Sequence, residues 1–240
     1  MSTNEYTKFS ALSIDANCTT TIHVHETTDD PIVRVTNKNS QKFKISDLNT
    51  NGELSIKVTA ESGSTHVPLG DVSSAIQQAL SKDSIKDFIP NFISGLKQTT
   101  ASISINNDIE VVFDVFIPKS FLAIHVTATN LDLDINHSSI IHIDVSSSNL
   151  DFKSTQPLTI QLLKIAASNA DIDFIAANGL AFAEIDGHNC DLIVRRASDF
   201  DGKIKIKGSN TDVSGNCDGD STKGLITCRM SNADISILTK

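Results

Sequence analysis

Six aspartates return at near-equal intervals in the second half of the chain: Asp132, Asp151, Asp171, Asp191, Asp212 and Asp234, each two residues after an asparagine. A column of carboxylates offers hard oxygen donors, and calcium held between neighbouring copies is the cation it would suit. Calcium takes six or more oxygens. One carboxylate per copy, with no glycine-aspartate nonapeptide around it, falls short of a full shell. Without a cation the column is costly: at a strand spacing of roughly 4.8 Å, adjacent carboxylates repel by about 0.9 kcal/mol even in the dielectric of water. Backbone N–H donors at a corner, together with dissolved salt, are the ordinary means of offsetting that repulsion.

Other groupings invite chemistry and supply less of it. Asp132 with Asp134 and Asp171 with Asp173 share strand faces, and Arg195-Arg196 follows the fourth aspartate. On a β-helix such a set could cleave or isomerise a polysaccharide. Alternating Asp also keeps an outward strand face solvated, and no lid loops are recognisable that would shape a pocket. His23 and His25 share a face but lack a third ligand, while His125, His137, His142 and His188 fall at different offsets from the asparagines. There is no Ser-His-Asp order, Walker loop or dinucleotide fingerprint. Cys18, Cys190, Cys217 and Cys228 show no metal-like spacing and read as reduced thiols. The sequence thus assigns no catalytic residue and no cofactor.

What positions the aspartates is a phrase that occurs six times, from Ala-Thr-Asn-Leu-Asp-Leu to Met-Ser-Asn-Ala-Asp-Ile. Its asparagines, Asn130, Asn149, Asn169, Asn189, Asn210 and Asn232, are 19 to 22 residues apart, the mark of a solenoid. Four residues before each Asn stand Val126, Val145, Ile165, Ile185, Ile206 and Cys228; three after it stand Leu133, Phe152, Ile172, Leu192, Val213 and Ile235. These read as buried columns of strands, because strand side chains alternate between faces. The apolar offsets are even before the Asn and odd after it, so the alternation slips there and the chain turns. Asn tolerates a left-handed corner, and stacked amides can hydrogen-bond from copy to copy. A small column two residues before the Asn suggests a tight corner. Met230 breaks it in the last copy and reads as an end coil with a looser neighbour.

Upstream, alternating runs separated by turn residues such as Asp29, Asp30, Asn51 and Gly52 predict strands from Phe9 to Thr59, without a strict period. Residues 1–66 form an irregular β layer or first coils, 67–100 a helical hairpin, and 101–240 the regular coils. In the hairpin, Ile85, Phe88, Ile89, Phe92, Ile93 and Leu96 share one face, with Pro90 bending the second helix. So apolar a face must be covered, either by an open end of the solenoid or by a partner.

With 20 basic and 29 acidic residues spread along the chain and few aromatics, a nucleic-acid backbone or an anionic membrane is not the expected partner. Met1 to Ser10 has no apolar stretch suited to a signal peptide, so a cytoplasmic location is expected. The stretch Val111 to Pro118, then Phe121-Leu122-Ala123-Ile124 and Ala128-Thr129-Asn130-Leu131-Asp132, resembles the strand, proline-lysine turn and corner of the bacterial "putative adhesin" family of β-solenoid domains of unknown function. The resemblance covers roughly residues 9–66 and 101–240. An Asn-x pair replaces the family's corner glycine, and the 67–100 segment is an insertion. It implies structural motifs and no catalytic set.

The expected architecture is an all-β, single-stranded parallel β-solenoid of about 20-residue coils with a short α-helical insert. The expected function is a non-enzymatic scaffold or adhesin-like module that binds a protein partner or a second copy of itself. Two alternatives stand beside it. One is a self-assembling cytoplasmic filament subunit, since Leu238, Thr239 and Lys240 alone follow the last phrase and no cap is visible. The other is a polysaccharide-active enzyme using the Asp face with Arg195 or Arg196.

Overall fold

Alternating β-branched and polar residues, poor in helix formers, give strands throughout residues 3–37, 43–60, 110–119 and 121–239, the residues described by this computed structural model. No helix occurs among them. The hairpin expected over 67–100, with Ile85, Phe88, Ile89, Phe92, Ile93 and Leu96, lies outside the described residues. All described residues belong to one unit, made of Met1–Ala60 and Asp108–Lys240.

The strands are β1 (Thr3–Thr7), β2 (Ala11–Thr27), β3 (Ile32–Asn37), β4 (Phe43–Thr50), β5 (Glu53–Ala60) and β6 (Glu110–Pro118), followed by one strand for each phrase. Those six are β7 (Phe121–Asn136), β8 (Ile140–Leu158), β9 (Leu162–Ala176), β10 (Phe182–Arg196), β11 (Lys203–Ser214) and β12 (Leu225–Thr239). They join one mostly parallel sheet in the order β1-β3-β6-β2-β7-β8-β9-β10-β12-β11, with β5 also on β2 and β4 on β5. Strand β2 is the hub: its first half pairs with β5, its second half with β6, and both halves with β7.

From β7 onward the pairing is parallel and the phrases align residue for residue. Leu133 lies beside Phe152, then Ile172, Leu192, Ile235 and Val213. Val126, Val145, Ile165, Ile185 and Cys228, with Leu133, Phe152, Ile172, Leu192 and Ile235, are no more than 2% exposed. Each such side chain stabilises the fold by roughly 1.5–3 kcal/mol, so these columns are the main source of cohesion. Leu131, Leu150, Ala170, Cys190 and Ala233, directly after the asparagines, are buried as well, which places the slip of alternation at the Asn.

Two members of the expected columns depart from this. Val213 is 42% exposed and Ile206 is only partly buried; both belong to β11. The reason is topological. The last strand, β12, runs between β10 and β11, so β11 has a neighbour on one side only. Met230 is therefore not on an end coil: it is buried, paired with Gly187 of β10 on one side and Gly208 of β11 on the other. A Cβ on Gly208 would stand 1.9 Å from the Met230 carbonyl oxygen, and one on Gly187 would stand 2.2 Å from the Cys190 sulfur. Glycine at 187 and 208 is thus enforced by close approach, to a side chain at the first and to backbone at the second.

The opening layer is largely antiparallel. Strand β3 pairs antiparallel with β1 and β6, and β1 is an edge strand that the alternation does not single out. Asn51 and Gly52, at φ of 54° and 81°, make the two-residue turn between β4 and β5, the geometry that matches strand twist. At the β7–β8 connection, His137 is fully buried. Its Nδ1 accepts from the Ser139 N–H at 3.0 Å, which leaves Nε2–H to donate to the Pro118 carbonyl at 3.1 Å. Burial holds this imidazole below the ordinary histidine value, against the smaller upward pull of that carbonyl and of Glu26.

A lowered folded-state value means stability that is present above the ordinary histidine range and lost as pH falls from about 6.5 toward the lowered value. The melting temperature should drop between pH 7 and pH 5, with a shallower slope in His137→Gln; equal slopes would remove His137 from the account. Gly208→Ala should destabilise by about 2 kcal/mol in urea unfolding, since the clash is with backbone.

Candidate functional site

The asparagines stand at equivalent positions of adjacent strands, and parallel register brings their amides together. Asn149 donates through Nδ2 to Asn130 Oδ1 at 2.6 Å, Asn169 to Asn149 at 2.8 Å, and Asn189 to Asn169 at 3.1 Å. The series follows the order of the strands rather than of the sequence: Asn232 donates to Asn189 at 3.2 Å, and Asn210 to Asn232 at 3.1 Å. At the other end Asn130 donates to Thr19 Oγ1 at 3.4 Å, so Thr19 takes the ladder position on β2. Asn17, the residue that echoes the phrase, instead accepts from the Ala60 N–H at 2.7 Å, and the register shifts between Ala16 and Thr19. Asn189, Asn210 and Asn232 hold φ between 51° and 55°, whereas Asn130, Asn149 and Asn169 do not have positive φ.

Beside the ladder runs the carboxylate column. Asp132, Asp151, Asp171, Asp191, Asp234 and Asp212 are lateral neighbours in that order, all exposed. None of them accepts a hydrogen bond among the described residues, so water and dissolved ions, not corner N–H groups, offset their repulsion. Asp151 shows the strain of this arrangement. Partial burial, then the carboxylates of Asp132 and Asp171, raise it above the ordinary aspartate value. Asn130, Asn149, Asn169 and Asn189 with Asp132, Asp151 and Asp171 line an open groove of about 400 Å³ that also includes Leu131, Leu150 and Ala170.

The residues considered for polysaccharide chemistry are engaged elsewhere. Arg195 makes a two-pronged contact with Asp173, at 2.7 Å and 2.6 Å. Arg196 donates to the carbonyl oxygens of Asn216, Asp218, Phe200 and Gly202, tying together the connections on either side of β11. His23 lies in register between Asp114 and Asp134, and His25 stacks on Phe116 at 5.0 Å. His188 hydrogen-bonds Ser231 beside the ladder. All four cysteines are free thiols; burial is the first cause of the upward shift of Cys228 to about 12.

One grouping was not visible from offsets alone. His125 of β7 pairs laterally with Asp144 of β8, and His142 lies two residues before Asp144, so the three share a half-buried patch on the face opposite the core. The rings of His125 and His142 meet edge to face at 5.0 Å. Burial, then the neighbouring His125, lowers His142 below the ordinary histidine value.

These features define an all-β protein with a mostly parallel sheet and an open groove beside part of the amide ladder. No family model matches the chain, and no curated protein matches it. Among solved structures it is similar to a "putative cell adhesion protein" from Clostridium sporogenes, with 10% identity, 100% of this chain and 99% of that chain covered, and a TM-score of 0.47. It is also similar to a "putative adhesin" from Parabacteroides distasonis, at 6% identity over 99% and 96% of the two chains, TM-score 0.40. A third, from Bacteroides fragilis, shares 11% identity over 99% and 96%, TM-score 0.33. Among the described residues no helix is long and apolar enough to cross a membrane.

Asp151 carries a testable consequence. Its raised folded-state value implies a contribution that is full below the ordinary aspartate range and lost as pH rises through the raised value. Asp151→Asn should therefore stabilise the protein at pH 7 by about 0.5 kcal/mol in low salt, an advantage that shrinks at pH 4 and in high salt. A pH-independent difference in thermal unfolding would refute the repulsion account.

Proposed function

We propose that the chain is a β-solenoid acting as a non-enzymatic, adhesin-like binding module, with the ladder groove as its contact surface. Support for the coiled path comes from the connections. Strand β7 has 16 residues, about 53 Å if straight, yet its parallel in-register neighbour β8 begins after the connection 137–139. A connection of about three residues reaches at most about 10 Å, far less than a straight return requires. The strands must bend back on themselves, and the slip at each Asn supplies a corner.

The observation that carries the binding reading is the open groove along β7, β8 and β9, where amides and exposed carboxylates repeat at the strand spacing beside Leu131, Leu150 and Ala170. Such a surface suits an extended polar or cationic ligand, one whose own repeating groups match the lateral spacing. The sequence resemblance to the "putative adhesin" family points the same way. The filament alternative is less well supported: edge strand β11 carries Lys203, Lys205 and Lys207, and the 215–224 segment hydrogen-bonds onto it through the Cys217 carbonyl, both of which blunt an edge. The enzyme alternative loses support from the engagement of Arg195 and Arg196.

The test is an array of glycans and host-surface proteins probed with the full chain and with the double variant Asp151→Lys, Asp171→Lys. Binding that weakens at least about tenfold in the variant, with the melting temperature held, is the expected result. A binder indifferent to the variant, or none at all, would defeat this reading.

A further inference from the structure

Away from the groove, two imidazoles and a carboxylate gather. His125, His142 and Asp144 each offer one donor atom, and these atoms lie within 4.8 Å of one another. Among the described residues no other group of three His, Cys, Asp or Glu donors gathers this closely. Donors bound at about 2.0–2.2 Å around a shared tetrahedral ion stand roughly 3.3–3.6 Å apart, so side-chain adjustments of about 1 Å close the shell. Parallel register fixes the placement: His125 and Asp144 are lateral partners on adjacent strands, and His142 shares the face of Asp144 along β8. A rigid sheet, unlike a loop, holds such donors in place.

A second observation concerns His142 itself. Its Nε2 is buried and has no hydrogen-bond partner among the described residues. A buried imidazole nitrogen without a partner is costly, and such atoms call for an explanation. His137, in the β7–β8 connection, shows the ordinary solution, with both ring nitrogens hydrogen-bonded. Asp144 likewise has no ion pair among the described residues, although Lys164 is its lateral neighbour on β9.

We infer that His125, His142 and Asp144 form a binding site for a borderline divalent transition-metal ion, zinc being the best chemical match. Two imidazoles and a carboxylate are a donor set zinc accepts, and the hard cations calcium and magnesium disfavour nitrogen. Three protein ligands leave at least one position open to water or to a donor from a bound partner. This site is separate from the groove, and it stands or falls independently of the binding function proposed for it.

The test uses the full chain, freed of metal with a chelator and titrated with Zn2+ alone in a calorimeter, with Ca2+ as the comparison. One zinc per chain at micromolar affinity is expected, with no calcium response. His125→Gln and His142→Gln should each weaken zinc by at least about tenfold. The double variant His23→Gln, His25→Gln and the thiol variant Cys217→Ser should leave binding unchanged. Because a ligand variant could misfold, the wild-type chain also gives a direct readout: imidazole 15N shifts on zinc addition should move at His125 and His142 before any other histidine. Absence of zinc binding below 1 mM overturns the inference, as does binding that survives both ligand variants or imidazole shifts confined to other histidines.

Discussion

Everything in the second half of the chain follows from pairing like with like. Across the phrases a parallel, unshifted ladder sets each residue beside its counterpart, so a side chain there is selected by how well it tolerates copies of itself at about 4.8 Å. Branched aliphatics and Phe gain from such company, because each shields the next from water. Asparagine gains too, since its amide is both donor and acceptor and a file of them needs nothing else. Aspartate loses, and at Asp151 the carboxylates of Asp132 and Asp171 add to burial in raising its value. That a column with this handicap persists beside the ladder makes it the least self-sufficient part of the surface.

The same rule explains the crowded end of the sheet. Inserting β12 between β10 and β11 places the bulky Met230 in a column otherwise filled by Ala, Ser and Gly, and the two strands that flank it both present glycine there. Gly187 and Gly208 are adjusted to a neighbour that does not adjoin them in sequence. The long 215–224 segment lets the chain pass over β11 and come back inside it, and Arg196, by collecting four carbonyl oxygens, holds that path closed.

How much of this is written in the sequence depends on whether a feature repeats. The buried columns, the slip of alternation at the Asn and the strands are legible because six copies of one pattern average out local noise. Strand order is not, since residues that would swap places carry the same phrase; only Met230 opposite two glycines signals the exchange, and it reads equally well as a loose end. Thr19 is hidden for a related reason: a bulge moves the ladder position past Asn17. The histidine patch escapes notice because its members come from two strands at different offsets, and only lateral register makes neighbours of His125 and Asp144. In the first sixty residues the period is absent, and antiparallel partners chosen across long separations leave no local trace beyond the Asn-Gly turn.

The asparagine file also has a sense of direction. Every amide donates toward β2 and all but Asn210 accept from the β11 side, so the peptide-like dipoles of the six side chains add instead of cancelling. One extremity ends on a hydroxyl, at Thr19, and the other on the bare oxygen of Asn210. Two copies related by a twofold axis through β11 would bring oxygen to oxygen where their files met, an arrangement with no proton to share. Only a head-to-tail apposition can prolong the file, so the sheet is polar in the direction across its strands even when the molecule stands alone.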